Sequence, residues 1–356
     1  MSSMTDFLKA IDNKFASIAD DGIAAGDIAG YIDTGSYALN ALVSGSIYGG
    51  LPNNKITLCG APSSTGKTFI ALGCANGFQQ NNPKGIVMVF ESESAITKGM
   101  LVDRGIDPKR AIIIPVTTVE GFRTQALKMV QHYNSLPEKD CEPLFFILDS
   151  MGMLSTEKEL TDVAAGSGTK DMTRAALLKA TFRVLTLELG RAGIPLFVTN
   201  HVYDAIGQGP YAAQVQGGGT GAVYAASTEL RLSKAKEKDA DGTVSGVVIT
   251  VTAHKSRLTR ENTKIKCLVK YKGGLDRYYW LTEIAEAAGI FEKVSTKYKV
   301  PGYEKPQFGK TIKENPQKYF TKEILDQIEE YVQKNFKYMG TDGEVGVDTL
   351  AEIAQD

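Results

Sequence analysis

Cysteine is scarce in this sequence, long apolar runs are absent, and neither sign of charge is in excess. The 4 cysteines among 356 residues form no Cys-x-x-Cys pair, which favours buried free thiols in a reducing cytoplasm. No stretch approaches the ~20 consecutive apolar residues that a membrane-spanning helix needs. The first residues carry charges and lack the apolar segment of a secretion signal. We therefore predict a cytoplasmic protein that does not associate with a membrane.

A formal net charge of −1 excludes a protein coated in positive charge. It does not exclude a nucleic-acid partner, because a local basic groove is enough to neutralise phosphates. Lysines outnumber acids between Phe291 and Lys337, whereas the segment from Thr341 to Asp356 carries acids and no base. The sequence therefore predicts a slightly basic C-terminal unit followed by a short acidic tail.

Short apolar runs alternate with helix-spaced segments through most of the chain. The runs predicted as strands are Lys55–Cys59, Ile86–Phe90, Ala111–Ile114, Leu144–Leu148 and Pro195–Thr199. The segments predicted as helices are Thr68–Gln80, Ala95–Arg104, Val119–Tyr133 and Met172–Arg191. Strands without polar alternation, separated by helices, indicate a mostly parallel sheet that helices cover on both faces. The predicted fold class is therefore α/β.

The pattern changes after Gly221, where long helices no longer separate the strands. The later runs predicted as strands, in an antiparallel extension of the sheet, are Thr228–Ser233, Val247–Ala253 and Lys264–Tyr271. A smaller mixed unit begins at Thr282 and includes a helix near Thr321–Lys337. Met1–Ala25 is predicted as an N-terminal helix.

Two segments rich in glycine and small residues directly follow predicted strands. They are Glu157–Asp171 and Asp204–Gly221. Long loops of this kind in a compact domain are usually functional or mobile, so both are candidates for a binding surface.

The strongest local motif is a phosphate-binding loop that lies between a predicted strand and a predicted helix. Its residues are Ala61, Pro62, Ser63, Ser64, Thr65, Gly66, Lys67 and Thr68, with alanine in place of the usual first glycine. Backbone N–H groups of such a loop, together with the N-terminus of the following helix, bind phosphate oxygens. Lys67 is predicted to reach the β- and γ-phosphates, and the Thr68 hydroxyl to ligate Mg²⁺. The strand–loop–helix context argues against a small-residue turn that merely caps a helix.

Polar residues also follow three other predicted strands. Asp149 follows an apolar strand, and a carboxylate there can hold a water on Mg²⁺ beside Thr68. Glu91 or Glu93 could polarise the water that attacks the γ-phosphate, although solvated loop acids are an equal alternative. His201 lies at the carboxyl edge of the sheet, where α/β proteins bind ligands, but a lone histidine is more often structural.

Several short motifs occur in a fixed order between Tyr31 and Leu281. Besides the phosphate loop they are Ile32-Asp33-Thr34-Gly35-Ser36, Gly49-Gly50-Leu51-Pro52, Asp171-Met172-Thr173-Arg174-Ala175, Gly217-Gly218-Gly219-Thr220-Gly221 and His254-Lys255-Ser256-Arg257. Together they resemble the ATPase core of the RecA family, and the last three are most similar to its phage branch, the UvsX-like recombinases. A weaker likeness to the RecA C-terminal domain continues through Gly309-Lys310 and Lys313-Glu314-Asn315-Pro316.

The resemblance implies a RecA-type P-loop ATPase core with an antiparallel extension and a small α/β C-terminal domain. Residues 1–30 would form an N-terminal helical arm that contacts a neighbouring protomer. Residues 31–281 would form the ATPase core, 282–340 the C-terminal domain and 341–356 the acidic tail.

The resemblance also implies roles for individual residues at the nucleotide. Glu93 takes the position of the catalytic glutamate, and His201 that of the residue that senses the γ-phosphate. Lys255 and Arg257 match basic residues that reach across a subunit interface to the neighbour's γ-phosphate, as arginine fingers do. Met100 takes the place of a tyrosine that stacks on adenine, where methionine can pack against the base.

Two further segments match the mobile DNA-binding loops of the family, Glu157–Asp171 and Asp204–Gly221. The DNA contacts predicted in and beside them are Lys170, Arg174, Gly217, Gly218, Gly219 and Thr220. Because these contacts are directed to the DNA backbone, sequence tolerance is expected, and base pairing tests identity.

The implied function is ATP- and Mg²⁺-dependent recombination. A homo-oligomeric helical filament on single-stranded DNA would pair with homologous double-stranded DNA and exchange strands, in recombination, repair and recombination-dependent replication. DNA would stimulate ATP hydrolysis, and single-strand-binding and loader proteins would assist, in the host cytoplasm if the gene is carried by a phage. The alternatives are a RecA-fold hexameric DNA helicase and a non-motor ATP-binding regulator. The glycine-rich second loop and the C-terminal unit favour the recombinase over both.

Overall fold

Helices and strands alternate along the chain in the computed structural model, which describes residues 4–11, 13, 16–23, 26–137, 141–166, 173–204, 214–234 and 246–338. The helices are α1 (Met4–Ala10), α2 (Tyr37–Ser44), α3 (Lys67–Asn81), α4 (Lys98–Asp103), α5 (Val119–Ser135), α6 (Glu157–Ala164), α7 (Arg174–Ala192), α8 (Gly221–Ala225), α9 (Leu281–Ala287), α10 (Gly309–Glu314), α11 (Pro316–Tyr319) and α12 (Lys322–Phe336). The strands are β1 (Tyr31–Ile32), β2 (Leu51–Pro52), β3 (Ile56–Ala61), β4 (Ile86–Glu91), β5 (Ala111–Pro115), β6 (Leu144–Asp149), β7 (Leu196–Asp204), β8 (Gln214–Gln216), β9 (Thr228–Lys234), β10 (Gly246–Ser256), β11 (Lys264–Lys270), β12 (Gly274–Leu275), β13 (Glu292–Val294), β14 (Lys297–Lys299) and β15 (Gln307–Phe308).

One large sheet organises the described part of the chain. Its strand order is β12-β11-β10-β9-β3-β7-β6-β4-β5, and β8 pairs with β7 beside this path. Neighbouring strands from β9 to β5 are parallel, whereas β10, β11 and β12 are antiparallel to their neighbours. The predicted α/β class with a mostly parallel sheet is therefore confirmed.

Helices bury both faces of this sheet, which explains the apolar runs without polar alternation. In β3, Ile56 and Leu58 join the cluster formed with α5 and α7, whereas Cys59 and Ala61 join the cluster formed with α2 and α3. Successive side chains of a strand point to opposite faces, so a strand covered on both sides carries apolar residues on both faces. Cys59 is a buried free thiol, as predicted.

The predicted antiparallel extension is right for β10 and β11 and wrong for β9, and the short strand β12 was not predicted. β9 is parallel to β3, with Thr228 opposite Thr57. After β7, the antiparallel strand β8 and the short helix α8 lead back along the sheet. β9 therefore starts at the same end as β3 and runs in the same direction.

Two other local predictions need correction. Among the described residues of Met1–Ala25 the α-helix is α1 alone, rather than one helix over the segment, and Gly22 has a φ of 97°, which an α-helix does not allow. The first half of the predicted loop Glu157–Asp171 is helix α6, because the Thr156 side chain accepts a hydrogen bond from the Glu159 N–H and caps it. Lys170 and the acidic tail lie outside the described residues.

The C-terminal unit contains α9 to α12 and a three-stranded antiparallel sheet of β13, β14 and β15. The predicted helix near Thr321–Lys337 is confirmed as α12, whose N-cap is Thr321. Its buried residues Ile328 and Val332 belong to the same apolar cluster as α2 and α3. The domain boundaries stay a prediction. Within the described residues, no helix combines the length and the hydropathy needed to cross a membrane.

Helix α3, which carries the end of the phosphate loop, packs closely against the turn after β1. A Cβ at Gly77 would lie 2.1 Å from the Asp33 carbonyl oxygen, whereas a Cβ at Gly73 would meet only the side chain of Leu275 at 2.9 Å. We expect Gly77→Ala to lower the free energy of unfolding by roughly 1–3 kcal/mol, since a backbone atom must move.

Gly73→Ala in the same helix is the matched control. The Leu275 side chain can rotate away, and alanine favours a helix by about 1 kcal/mol over glycine. Denaturant unfolding of both variants tests this packing, and equal losses of stability would contradict it.

Candidate nucleotide-binding site

The predicted functional residues come together because parallel strands end at one edge of the sheet. In the pairing of β3 with β7, Ala61 is opposite His201, and in the pairing of β4 with β6, Glu91 is opposite Asp149. A cavity of about 370 Å³ opens at this edge, within the ~300–1,000 Å³ range of small-molecule sites. Its lining includes the phosphate loop from Ser63 to Thr68.

The phosphate loop has a backbone that most residues cannot adopt. Gly66 is the N-cap of α3 with a φ of 110°, and a Cβ there would lie 2.5 Å from Cδ1 of Ile249. Glycine is therefore required both by the left-handed backbone and by the packing of β10 against the loop. Pro62 and Ala61 close the loop at the end of β3, and their carbonyl oxygens face the side chain of Lys67.

Lys67 is buried and uses its ammonium group within the protomer. Its Nζ donates to the carbonyl oxygens of Ala61 at 3.0 Å and Pro62 at 2.9 Å, and lies 3.4 Å from Nδ1 of His201. Burial lowers the pKa of Lys67, against the opposing charges of nearby acidic groups. A buried cation at a loop of this shape is suited to bind an anion that replaces the two carbonyl groups.

Thr68 and Asp149 form the pair predicted to hold Mg²⁺. The Thr68 hydroxyl donates to Oδ2 of Asp149 at 2.7 Å, and the Thr199 hydroxyl donates to Oδ1. Burial raises the pKa of Asp149, and these two hydrogen bonds oppose that rise. Within the described residues no three His, Cys, Asp or Glu side chains cluster as a metal site. A hydroxyl and a carboxylate nevertheless fit Mg²⁺, which takes few protein ligands and completes its shell with water and phosphate.

Glu91 and Glu93 have different environments. The Glu91 carboxylate is buried and accepts hydrogen bonds from the backbone N–H groups of Glu93 and Ala95, so it fixes the loop after β4. The Glu93 side chain lines the cavity instead. Burial raises the pKa of Glu93, but hydrogen bonds from Ser150 and His201 and the charge of Lys67 outweigh it, so the net shift is downward. This charged, cavity-facing carboxylate is the better placed of the two to act on a water.

His201 lies between the predicted phosphate ligand and the predicted catalytic acid. Its Nε2 is 3.0 Å from Oε1 of Glu93, which also accepts a hydrogen bond from the Ser150 hydroxyl at 2.6 Å. A carboxylate can only accept, so Nε2 carries the hydrogen, and in the neutral ring Nδ1 can accept from Lys67. A single ring thus connects the two groups predicted to contact the nucleotide.

The cavity is also lined by residues that no sequence motif had indicated. They are Phe69, Ala95, Lys234, Val247 and Ile249, beside the predicted Met100. The alternation of β10 indicates that Val247 and Ile249 share a face, but only the order of the strands in the sheet shows which cavity that face borders.

Lys255 and Arg257 are not part of the cavity lining within the protomer. The Lys255 ammonium donates to backbone carbonyl oxygens at the C-terminal end of α8, those of Val223 at 2.6 Å and Ala226 at 2.8 Å. Arg257 donates to the carbonyl oxygen of Tyr224 at 3.3 Å. Both cations therefore complement the negative end of a helix that begins directly after the glycine run.

The predicted DNA-binding residues of the second loop lie at the N-terminus of α8. Gly218 and Gly219 have φ values of 83° and 79°, and Gly219 and Thr220 are exposed. Arg174, in contrast, donates to the backbone carbonyl oxygens of Leu154, Met151 and Gly152. It therefore anchors the start of α7 to the segment after β6, and its contact with DNA stays a prediction.

Comparison with known proteins agrees with this geometry. The family model described as the RecA N-terminal domain matches residues 3–276. The chain is 30% identical over 276 residues to the recombination and repair protein of Enterobacteria phage T4, covering 78% of this chain and 68% of that protein. It is 25% identical over 309 residues to protein RecA of Wolbachia pipientis, covering 86% and 81% of the two chains. With Thermus aquaticus RecA the identity is 24% over 306 residues, 83% of each chain. This chain therefore belongs to the RecA family.

Proposed function

We propose that this protein is an ATP-dependent DNA recombinase that forms a helical filament on single-stranded DNA and exchanges strands with a homologous duplex. Family membership implies an ATPase; that DNA stimulates the hydrolysis is part of the proposal. The observation that carries it is the position of His201, which contacts Lys67 and Glu93 and whose own backbone carbonyl accepts a hydrogen bond from the N–H of Gly217 in the second loop.

The buried groups of the cavity are arranged to act on a nucleoside triphosphate. Bound ATP and Mg²⁺ would supply the phosphoanhydride and the divalent charge. Lys67 would exchange its two carbonyl acceptors for phosphate oxygens, and Thr68 and Asp149 would hold the metal ion. Glu93 would then orient and deprotonate a water, as a group that is charged and cavity-facing can do.

His201 would report the state of the site to the DNA-binding loop. When Lys67 turns to a phosphate, its contact with Nδ1 of His201 is lost, and the histidine becomes free to change its partner. His201 and Asn200 are consecutive in β7, and Asn200 donates to the Gly217 carbonyl oxygen at 2.9 Å. A shift at the end of β7 therefore moves the start of the glycine run.

Lys255 and Arg257 would complete the site of a neighbouring protomer. Within one protomer their partners are neutral carbonyl groups, and a γ-phosphate carries more charge and forms stronger hydrogen bonds. Leaving α8 for the neighbour's phosphate would also free the helix that follows the DNA-binding glycines. In this way ATP at the interface and DNA at the second loop would favour the same extended filament.

A ring-shaped helicase and a non-motor regulator remain the alternatives, and each has a distinct test. Electron microscopy with ATP and single-stranded DNA separates closed rings from helical filaments. A regulator would release no additional phosphate when DNA is added. Single-strand-binding and loader proteins are proposed partners of the recombinase.

Lys67→Ala should abolish ATP turnover, because the buried phosphate ligand is removed. Phosphate release with saturating single-stranded DNA measures the effect. Lys84→Ala is the matched control, since this lysine is exposed and pairs with Glu142 on the surface. Full DNA-stimulated hydrolysis by the Lys67 variant would refute the assignment of the phosphate loop.

Lys255→Ala and Glu93→Ala should each be inactive alone and partly active when mixed. An interface between an intact Lys255 from one variant and an intact Glu93 from the other is complete. Random mixing in equal amounts gives about a quarter of such interfaces, because head-to-tail contacts join two different surfaces.

The control for this mixture pairs Lys255→Ala with the variant that carries both substitutions, which can form no complete interface. ATP hydrolysis is measured across mixing ratios. If no ratio rescues hydrolysis above the control, Lys255 does not act in trans.

A further inference from the structure

Three buried polar side chains and one partly buried arginine form a cluster where β7, β8 and β9 meet, here called the Gln216 cluster. Its members are Asn200, Gln216, Glu229 and Arg231. Asn200 donates to Oε1 of Gln216 at 2.9 Å, and Nε2 of Gln216 donates to Oε1 of Glu229 at 2.6 Å. Arg231 donates to the same Glu229 oxygen at 2.5 Å.

Three members of the Gln216 cluster are shielded from solvent that could replace a lost partner, and the Arg231 side chain is partly exposed. Asn200 is 0% exposed, Glu229 1% and Gln216 8%, and one terminal nitrogen of Arg231 is buried without a hydrogen-bond partner among the described residues. Breaking any bond in such a group leaves an unsatisfied buried donor or acceptor, which is costly. We therefore expect the four side chains to move together rather than to break their hydrogen bonds one at a time.

This unit touches both the nucleotide cavity and the second loop. The Asn200 side-chain oxygen accepts from the backbone N–H of His201 at 3.0 Å, and its nitrogen donates to the carbonyl oxygen of Gly217. On the side of the phosphate loop, a Cβ at Gly60 would lie 3.2 Å from Nε2 of Gln216. Gln216 thus lies beside the strand that leads into the phosphate loop and directly precedes the glycine run in the chain.

We infer that Gln216 is a positioning residue that couples DNA at the second loop to the orientation of His201 at the nucleotide. The inference rests on the proposed recombinase function and names the part that makes hydrolysis respond to DNA. Glu229, held by Arg231, is the fixed point. The Gln216 amide joins Glu229 to Asn200 and lies in the segment where the second loop ends. A displacement of this loop would therefore also displace the part of β7 that carries His201.

An exchange of side chains tests the coupling. Gln216→Glu places two carboxylates face to face, so that neither can donate. Glu229→Gln leaves Arg231 without its charged partner. The double variant restores a donor–acceptor pair between the two positions, because the amide introduced at position 229 donates to the carboxylate at position 216. The amide oxygen at position 229 is then the acceptor for Arg231, in place of the single oxygen that accepts both hydrogen bonds in the unmodified protein.

The measurement is ATP hydrolysis at saturating ATP with and without single-stranded DNA, together with the melting temperature. We expect Gln216→Glu to keep the rate without DNA and to lower the stimulation by DNA about tenfold, a usual size for coupling between sites. The double variant should recover stimulation to within about twofold of the unmodified protein, far above the product of the two single effects.

Two further variants separate coupling from stability. Gln216→Met removes both hydrogen bonds without adding charge, so it should lose stimulation and gain nothing from Glu229→Gln. Gln79→Glu alters another buried glutamine, which bonds to the backbone of Asp107 and Arg110 far from the cavity. It should lower the melting temperature and leave the stimulation ratio unchanged.

Additive effects in the double variant would overturn the inference, as would equal losses with and without DNA in Gln216→Glu. In both cases an unmodified protein that DNA stimulates would leave the proposed function standing. If single-stranded DNA does not stimulate ATP hydrolysis by the unmodified protein, both the proposed function and this inference are overturned.

Discussion

Parallel pairing of β3, β7, β6 and β4 determines where the groups of the nucleotide site lie. The four strands end at the same edge, and their register places Ala61 beside His201 and Glu91 beside Asp149. A slip of one residue would turn every side chain of a strand to the other face. The register is held by two apolar layers that bury both faces, so the core of the protein and the geometry of its site depend on the same constraint.

The site that this constraint produces is already satisfied by its own hydrogen bonds. Lys67 donates to two loop carbonyl groups, Asp149 accepts from two threonines, and Glu93 is held by Ser150 and His201. Lys255 and Arg257 are likewise held at the end of α8. A ligand therefore acts by exchanging partners rather than by filling an unformed site. Exchange at one group would release another, and in the proposed function a small change at a phosphate reaches the predicted DNA-binding loop in this way.

The sequence predicted the parts of the fold that local chemistry decides. Apolar runs located the parallel strands, and small residues around Gly66 located the phosphate loop. The predicted direction of β9 was wrong. This direction depends on the path of the chain through β8 and α8, and no local sequence pattern encodes that path. The start of α6 was missed although the capping residue Thr156 is visible in the sequence. The choice of Glu93 over Glu91 came from resemblance and stays a prediction; in the structure, the Glu91 carboxylate already accepts two backbone hydrogen bonds. The Gln216 cluster could not be predicted, since its four members come from three strands.

The central claim is that ATP binding drives homologous strand pairing, and formation of a joint molecule tests it most directly. Labelled single-stranded DNA is incubated with supercoiled duplex, ATP, Mg²⁺ and the protein, and the joint molecules are separated on a gel. The account predicts joint molecules with a homologous duplex in the presence of ATP, and none with a heterologous duplex or without nucleotide. Robust DNA-stimulated ATP hydrolysis without any joint molecules, or joint molecules that form equally well without ATP, would contradict it.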